Sequence, residues 1–340
     1  MSIEISMRTA LYHKNGNPSE VVVIENQDKT SLQSNQIRVM LELASVNPAD
    51  LFIIMGSYPL QAPFPRYPGS EGVGIVSEVG RDVTNIKVND RVLIPILAGV
   101  SVWSEEIIVD KNKAFLVPHD AKGSLEQIAM ASVNPTSAYG MLTQFVTLKE
   151  GDWIIQNAAN SAVGSCVIGF ARDMGVKTVN VVRRPEVIES VKQVGGDIVI
   201  LDGPDLSKRL KSEHGTLNIK LALDGVAGES THQLSQCLKS GSTVVTYGAM
   251  SMKKCELGVS QLIFRQIKLF GYWYHLWTQT VSQDKVMELN QITNAAVFDG
   301  KINVQIHKIF PLEDIQNGLK EALLPKLNGK ILISGPAYKG

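Results

Sequence analysis

The strongest constraint on this chain is an alternation of strand and helix patterns between Trp153 and Tyr247. Short apolar runs recur at 153–156, 178–182, 198–201, 219–223 and 242–247. Helical patterns fill the gaps at 163–174, 186–194, 205–212 and 229–239, and Gly175 follows the first of them as a natural stop. Strands of this kind bury both faces only in a parallel sheet covered by helices on each side. The class is therefore α/β, with a doubly wound domain expected over residues 124–274. Two further helical patterns, 125–130 and 137–145, lead into it.

Residues 1–123 follow a different grammar. Short runs at 21–24, 37–41, 74–76, 92–94 and 107–109 alternate with turn clusters, and Gly and Pro punctuate the stretch from Gly56 to Gly74. This predicts a compact β-rich domain with long loops, and packed loops of that length are rarely idle. After Gly271 come a helix (284–298), a strand pair around 304–310, a short helix (312–323) and a last strand (330–334). That tail is expected to return to the first domain, so the division reads 1–123 with 275–340, against 124–274.

Bulk properties exclude several classes. Lys plus Arg and Asp plus Glu both number 33, so no net charge draws the chain to nucleic acid or an anionic membrane. No run approaches the roughly 20 apolar residues of a membrane span. The three cysteines, Cys166, Cys237 and Cys255, are too scattered for a thiolate metal cluster or a disulfide framework. The six histidines show no i, i+4 pairing. The start, Met1 to Ser6, has neither an apolar core nor an Arg-rich amphipathic leader, so a cytoplasmic location is expected.

The first βα turn of the doubly wound domain reads Asn157-Ala158-Ala159-Asn160-Ser161-Ala162-Val163-Gly164. Its place, after a strand and at the start of a helix, is where a Rossmann-type domain seats a pyrophosphate on free N–H groups. Only the last glycine of the G-x-G-x-x-G fingerprint survives, so an ordinary strand–helix turn is an equal reading of the turn alone. The next strand ends Val182-Arg183-Arg184, where an NAD-binding domain would carry an acidic ribose ligand. Two guanidiniums there suit a 2′-phosphate and favour NADPH. A solvated basic turn before Pro185 is the plainer reading.

Several blocks together resemble the medium-chain dehydrogenase/reductase superfamily: Asn47-Pro48-Ala49-Asp50, Gly56-Ser57-Tyr58, Pro68-Gly69-Ser70-Glu71-Gly72 and Asn89-Asp90-Arg91-Val92. The resemblance implies a GroES-like β-rich catalytic domain joined to the Rossmann-type domain. Zinc alcohol dehydrogenases of that superfamily have Cys at the position of Asn47 and His at that of Ser70, so no metal ligand set is expected here. Within the zinc-free branch the chain is similar to the mitochondrial-type 2-enoyl thioester reductases. The similarity adds the blocks Val133 to Tyr139, Ile155 to Ala158, Thr246 to Met250 and Gly271 to Trp273.

That resemblance places the active-site tyrosine at Tyr58. It places cofactor contacts at Asn134, at Asn160, Ser161, Ala162 and Val163, and at Tyr247, Gly248, Ala249 and Met250. Further contacts fall at Tyr272, Trp273, Tyr274 and His275, and at Lys330. The family's Arg-Asp-Arg after the second strand is shortened here to Arg183-Arg184. Tyr272 replaces a usual Phe, and Ala249 a usual Gly. The implied reaction is hydride transfer from NADPH to the C=C bond of an α,β-unsaturated carbonyl compound, foremost a trans-2-enoyl thioester of coenzyme A or acyl carrier protein. A quinone reductase and a crystallin-like structural protein are the competing readings. A homodimer is expected, because the 269–272 strand would lie at an apolar sheet edge. Plainer roles also exist for single residues: Tyr58 as a loop aromatic, His275 as a structural imidazole and Asp50 as a helix cap.

Overall fold

The computed structural model describes residues 6–59, 62–96 and 99–340; the first five residues, on which the leader reading rests, lie outside them. The chain forms two compact units. One comprises Met1–Val133, Asn294–Lys301 and Gln305–Gly340, and the other Asn134–Thr293 with Ile302–Val304. Both divisions fall further along the chain than 123/124 and 274/275. The cause is packing that local patterns do not reveal. Tyr139 of the Val133–Gln144 helix meets Phe170 edge-on at 5.2 Å, and Tyr274 is held by Asn290 at 2.7 Å. These contacts commit both flanking segments to the second unit.

The first unit begins with a two-stranded antiparallel ribbon, β1 (Ser6–Leu11) and β2 (Val23–Asp28). Its main sheet contains β3 (Gln36–Ser45), β4 (Gly72–Val79), β5 (Arg91–Ile94), β6 (Glu106–Asp110) and β7 (Phe115–Leu116). All pair antiparallel, with β6 on β3 beside the main path. A core of Ile37, Val39, Leu41, Val76, Val92, Trp103 and Ile107 fills it. Ile37, Val39 and Leu41 lie two apart along β3 and so share one face of the sheet.

The second unit is built on six parallel strands: β8 (Trp153–Gln156), β9 (Lys177–Val182), β10 (Ile198–Leu201), β11 (Ile219–Asp224), β12 (Thr243–Thr246) and β13 (Lys268–Gly271). Their order is β10-β9-β8-β11-β12-β13, so the winding reverses between β8 and β11. Ligands of open α/β sheets bind outside the carboxyl ends at such a reversal. The helix Ala162–Asp173 crosses from β8 to β9 and ends where Gly175 takes a φ of 66°.

From Gln305 the tail belongs to the first unit, as β14 (Ile306–Pro311) and β15 (Lys330–Ser334), one strand rather than a pair preceding the last helix. β15 pairs antiparallel with the end of β3, with Leu332 opposite Ser45. This register carries Lys330 to the segment that follows β3. Among the described residues no helix is long and apolar enough to cross a membrane.

Candidate active site

The turn after β8 performs the fingerprint's tasks with other residues. Ala158 takes the left-handed conformation (φ 47°) that a glycine would ordinarily supply. Gly164 is indispensable, because a Cβ there would lie 2.4 Å from the carbonyl oxygen of Ala159. Close packing of helix on strand is the third fingerprint glycine's role. Ser161 caps the helix by accepting the Gly164 N–H at 3.1 Å, while Asn160, Ser161, Ala162 and Val163 remain partly accessible. The accessible first turn of a twelve-residue helix is suited to an anion.

A buried network missing from the sequence reading stabilises this turn. Asn157 donates through Nδ2 to Asp224 Oδ1 (2.6 Å) and Ser230 Oγ (3.0 Å), and accepts the Gly225 N–H (2.7 Å). Asp224 Oδ1 also accepts the N–H groups of Val226 and Ala227, and its Oδ2 the Thr231 hydroxyl. The network ties the carboxyl ends of β8 and β11, the two strands at the reversal. The available signal was a polar residue directly at the end of each apolar strand.

Arg183 and Arg184 follow β9, the neighbour of β8. Arg183 is exposed, and Arg184 is half-buried with Nη1 3.6 Å from a Glu186 carboxylate oxygen. After β12, Tyr247 buries its hydroxyl against the Gly225 backbone, and burial raises its pKa above the ordinary tyrosine range. Gly248 faces Gly225 so closely that a Cβ would meet the Gly225 carbonyl oxygen at 2.8 Å. Ala249 and Met250 are exposed beyond them. The turns after β8, β9, β11 and β12 thus lie along one carboxyl edge of the sheet.

The segment after β13 divides by orientation. Tyr272 is buried, with its hydroxyl lying where a Cβ on residue 140 would fall, so Gly140 makes room for it. That hydroxyl has no hydrogen-bond partner among the described residues, and burial raises its pKa. Tyr274 is likewise buried and accepts a hydrogen bond from Asn290, and burial pushes its hydroxyl up to about 12. Any cofactor contact from these two residues would come from the backbone. Trp273 and His275 remain partly accessible, their rings 5.1 Å apart, with the imidazole joined to Gln279 at 3.1 Å. Asn134 is buried in the first turn of its helix.

In the first unit, Tyr58 lies just past the Pro48–Met55 helix. A buried polar cluster surrounds the helix start. Lys330 Nζ donates to the Val46 carbonyl (2.7 Å) and to Asn47 Oδ1 (2.6 Å). Asn47 Nδ2 donates to Ser45 Oγ and Glu71 Oε1. Asp50 does help to cap the helix, from the third helical position of a capping box rather than from the N-cap itself. Asn47 holds the N-cap position, and Asp50, three residues on, accepts the Asn47 N–H at 2.8 Å and the Ser70 hydroxyl.

Burial raises Asp50 to about 6, against the hydrogen bonds from Ser70 and Asn47 and the charge of Lys330. A carboxyl with a raised folded-state pKa binds its proton more tightly folded than unfolded. Its ionisation therefore costs stability as pH rises from about 4 to 6, by roughly 3 kcal/mol once complete. Asp50→Asn should gain by that amount relative to the wild type between pH 4 and 7. Denaturant unfolding at both values checks this, and a difference independent of pH contradicts it.

A reversing parallel sheet with this carboxyl edge in one unit, and an antiparallel unit carrying Tyr58, define an oxidoreductase of the medium-chain dehydrogenase/reductase class. Residues 33–158 match the alcohol dehydrogenase GroES-like domain family, and residues 162–289 the zinc-binding dehydrogenase family. The mitochondrial enoyl-[acyl-carrier-protein] reductase of Rattus norvegicus is 34% identical over 96% of this chain and 88% of its own length. Etr1p, solved with NADP and crotonyl-CoA, superposes with a TM-score of 0.85 at 26% identity, covering 97% of this chain and all of its own. Escherichia coli quinone oxidoreductase with NADPH shares the fold, with a TM-score of 0.81 at 23% identity over 96% of this chain and 99% of its own. The chain belongs to the family of the mitochondrial enoyl-[acyl-carrier-protein] reductases.

Proposed function

We propose that this protein reduces the C=C bond of trans-2-enoyl thioesters with NADPH and without a catalytic metal. The observation that carries the reading is the state of Asn47. Its amide is engaged from one side by the Lys330 ammonium and from the other by Glu71. A neutral amide already bonded to a buried cation is a poor ligand for a second cation. Charge developing on the substrate oxygen then needs another donor, and Tyr58 is the residue that the family resemblance provides.

The accessible helix start at Ser161 and the carboxyl edge at the sheet reversal suit NADPH in the second unit. When bound, it supplies the hydride. The first turn of the Ala162–Asp173 helix holds the pyrophosphate through Asn160, Ser161, Ala162 and Val163. Arg183 and Arg184 hold the 2′-phosphate. Tyr247 to Met250 and Trp273 to His275 border the rest, the last segment partly through backbone, with Asn134 and Lys330 as further contacts. Tyr58 donates to the thioester carbonyl oxygen, where negative charge grows as the substrate is reduced, or delivers the proton directly.

The test is turnover of crotonyl-CoA and of a simple quinone with NADPH, each with and without chelator. Thioester reduction that survives chelation, in protein without stoichiometric zinc, is expected. Quinone reduction without thioester turnover would select the quinone-reductase reading, and no turnover of either would leave the structural one.

The assembly proposed is a homodimer formed through the edge of the second unit. All four residues of β13 are exposed, with Leu269 at 37% and Phe270 at 46%, and Phe264 just before it is at 80%. An uncovered apolar edge of this kind is an aggregation hazard unless a second copy covers it. Light scattering should give twice the 37.1 kDa chain mass, and a monomer at working concentration would contradict the assignment. The cytoplasmic location is a separate proposal, since the relatives are named mitochondrial; a fluorescent fusion that collects in mitochondria would overturn it.

A further inference from the structure

Both oxygens of one carboxyl of the first unit, that of Glu71, are engaged by donors. Glu71 is completely buried. Its Oε1 accepts the Ser45 hydroxyl (2.8 Å) and Asn47 Nδ2 (3.0 Å), and its Oε2 the N–H groups of Ser132 (2.9 Å) and Val133 (2.8 Å). Burying a carboxylate is costly unless its oxygens are met by donors. Here four donors meet them, drawn from two segments distant from each other in sequence. We infer that Glu71 is a positioning residue for Tyr58, acting through Asn47 and the helix that Asn47 begins. The inference rests on the role assigned to Tyr58 under the proposed function.

A short chain of hydrogen bonds joins Glu71 to the helix start. An N-cap asparagine ordinarily turns its side-chain oxygen onto the helix N–H groups. Asn47 also spends its amide sideways, with Nδ2 on Glu71 and Ser45 and Oδ1 on Lys330. Asp50 accepts the Asn47 N–H, the reciprocal half of the capping box. The helix start is thus tethered laterally. Its far end is closed by Gly56 at φ 79°, with the Gly56 N–H on the Ile53 carbonyl and the Ser57 N–H on the Phe52 carbonyl. Tyr58 is the next residue.

An eight-residue helix spans about 12 Å, so a small tilt at Asn47 displaces its far end. A misplacement of about 1 Å can cost on the order of 10²-fold in rate. The second oxygen of Glu71 fixes the chain at Ser132 and Val133, immediately before Asn134. Negative charge there also suits the start of the Val133–Gln144 helix.

The test combines a double-mutant cycle with hydrogen exchange. Glu71→Gln keeps the volume but turns an amide toward one pair of donors. We expect it to lower kcat for crotonyl-CoA about 10–10²-fold per titrated NADPH site, with KM for NADPH nearly unchanged. Amides of residues 48–58 should exchange faster. In a Tyr58→Phe background the same substitution should cost little, because its effect is exerted through Tyr58. A merely structural role would lower melting temperature and active fraction, leave kcat per site intact and give additive losses. Additive losses with unchanged exchange overturn the assignment of Glu71 and leave Tyr58 untouched. A silent Tyr58→Phe in an active enzyme overturns the reading of Tyr58 and this one with it. If Glu71→Gln does not fold, Ser45→Ala weakens the same tether at a neutral residue that does not touch Lys330, and carries the same expectations.

Discussion

Replacing Tyr58 by Phe should lower kcat for a trans-2-enoyl thioester by about 10²–10³ while leaving the KM for NADPH nearly unchanged. The ring, its packing beyond the Pro48–Met55 helix and the Gly56 turn are retained, so the change isolates one hydroxyl. A donor aimed at charge that appears only during hydride transfer contributes to the transition state and not to ground-state binding. That asymmetry separates the assignment from the loop-aromatic reading, in which Phe serves as well as Tyr. Steady-state kinetics should cover crotonyl-CoA and a simple quinone on both proteins. Quinone reduction can take its proton from water and should change little. A thioester rate that survives the substitution would remove Tyr58 from the mechanism.

The second large effect concerns the cofactor. Arg183→Ala with Arg184→Ala should weaken NADPH binding about 10²-fold and NADH binding by far less. Charge-assisted contacts run to roughly 1.5–3 kcal/mol each, and 1.4 kcal/mol is tenfold in affinity. The lower end applies here, because Arg183 is exposed and Arg184 already has Glu186 at 3.6 Å. Exposed charges are also screened, so the wild-type preference for NADPH should shrink as salt rises. Titration of both nucleotides by quenching of protein fluorescence reads the ratio directly. Equal losses for NADPH and NADH would mean that the two arginines do not read the 2′-phosphate.

Much of the second unit was legible because its signals are local. The strand at 153–156 and the stop at Gly175 stand where the apolar runs and punctuation put them. The two arginines were legible too, since the end of the second strand of a parallel sheet has a fixed relation to the first. The degraded fingerprint was harder. Of its three glycine tasks, one is met by Ala158 in a left-handed conformation and only one still demands glycine, at Gly164. A sequence pattern registers the missing glycines but not the Asn157–Asp224 network that stabilises the turn without them.

What the sequence by itself determined is therefore the α/β class, the order of elements and the positions of the candidate cofactor residues along the chain, all set by periodicity and turn chemistry over a few residues. Tertiary structure alone decided which side chains face inward and which carboxylates meet their donors. Tyr272 turns inward because Gly140, far off in sequence, makes room for it, and Tyr274 because Asn290 on the following helix donates to it. Asn157 meets Asp224 across 67 residues, and Glu71 meets Val133 across 62. Lys330 meets Asn47 across 283 residues, because the last strand pairs with β3. A buried polar group is stable only where its partner is delivered to hydrogen-bonding distance, and that delivery is a property of strand order and register, which no local pattern encodes.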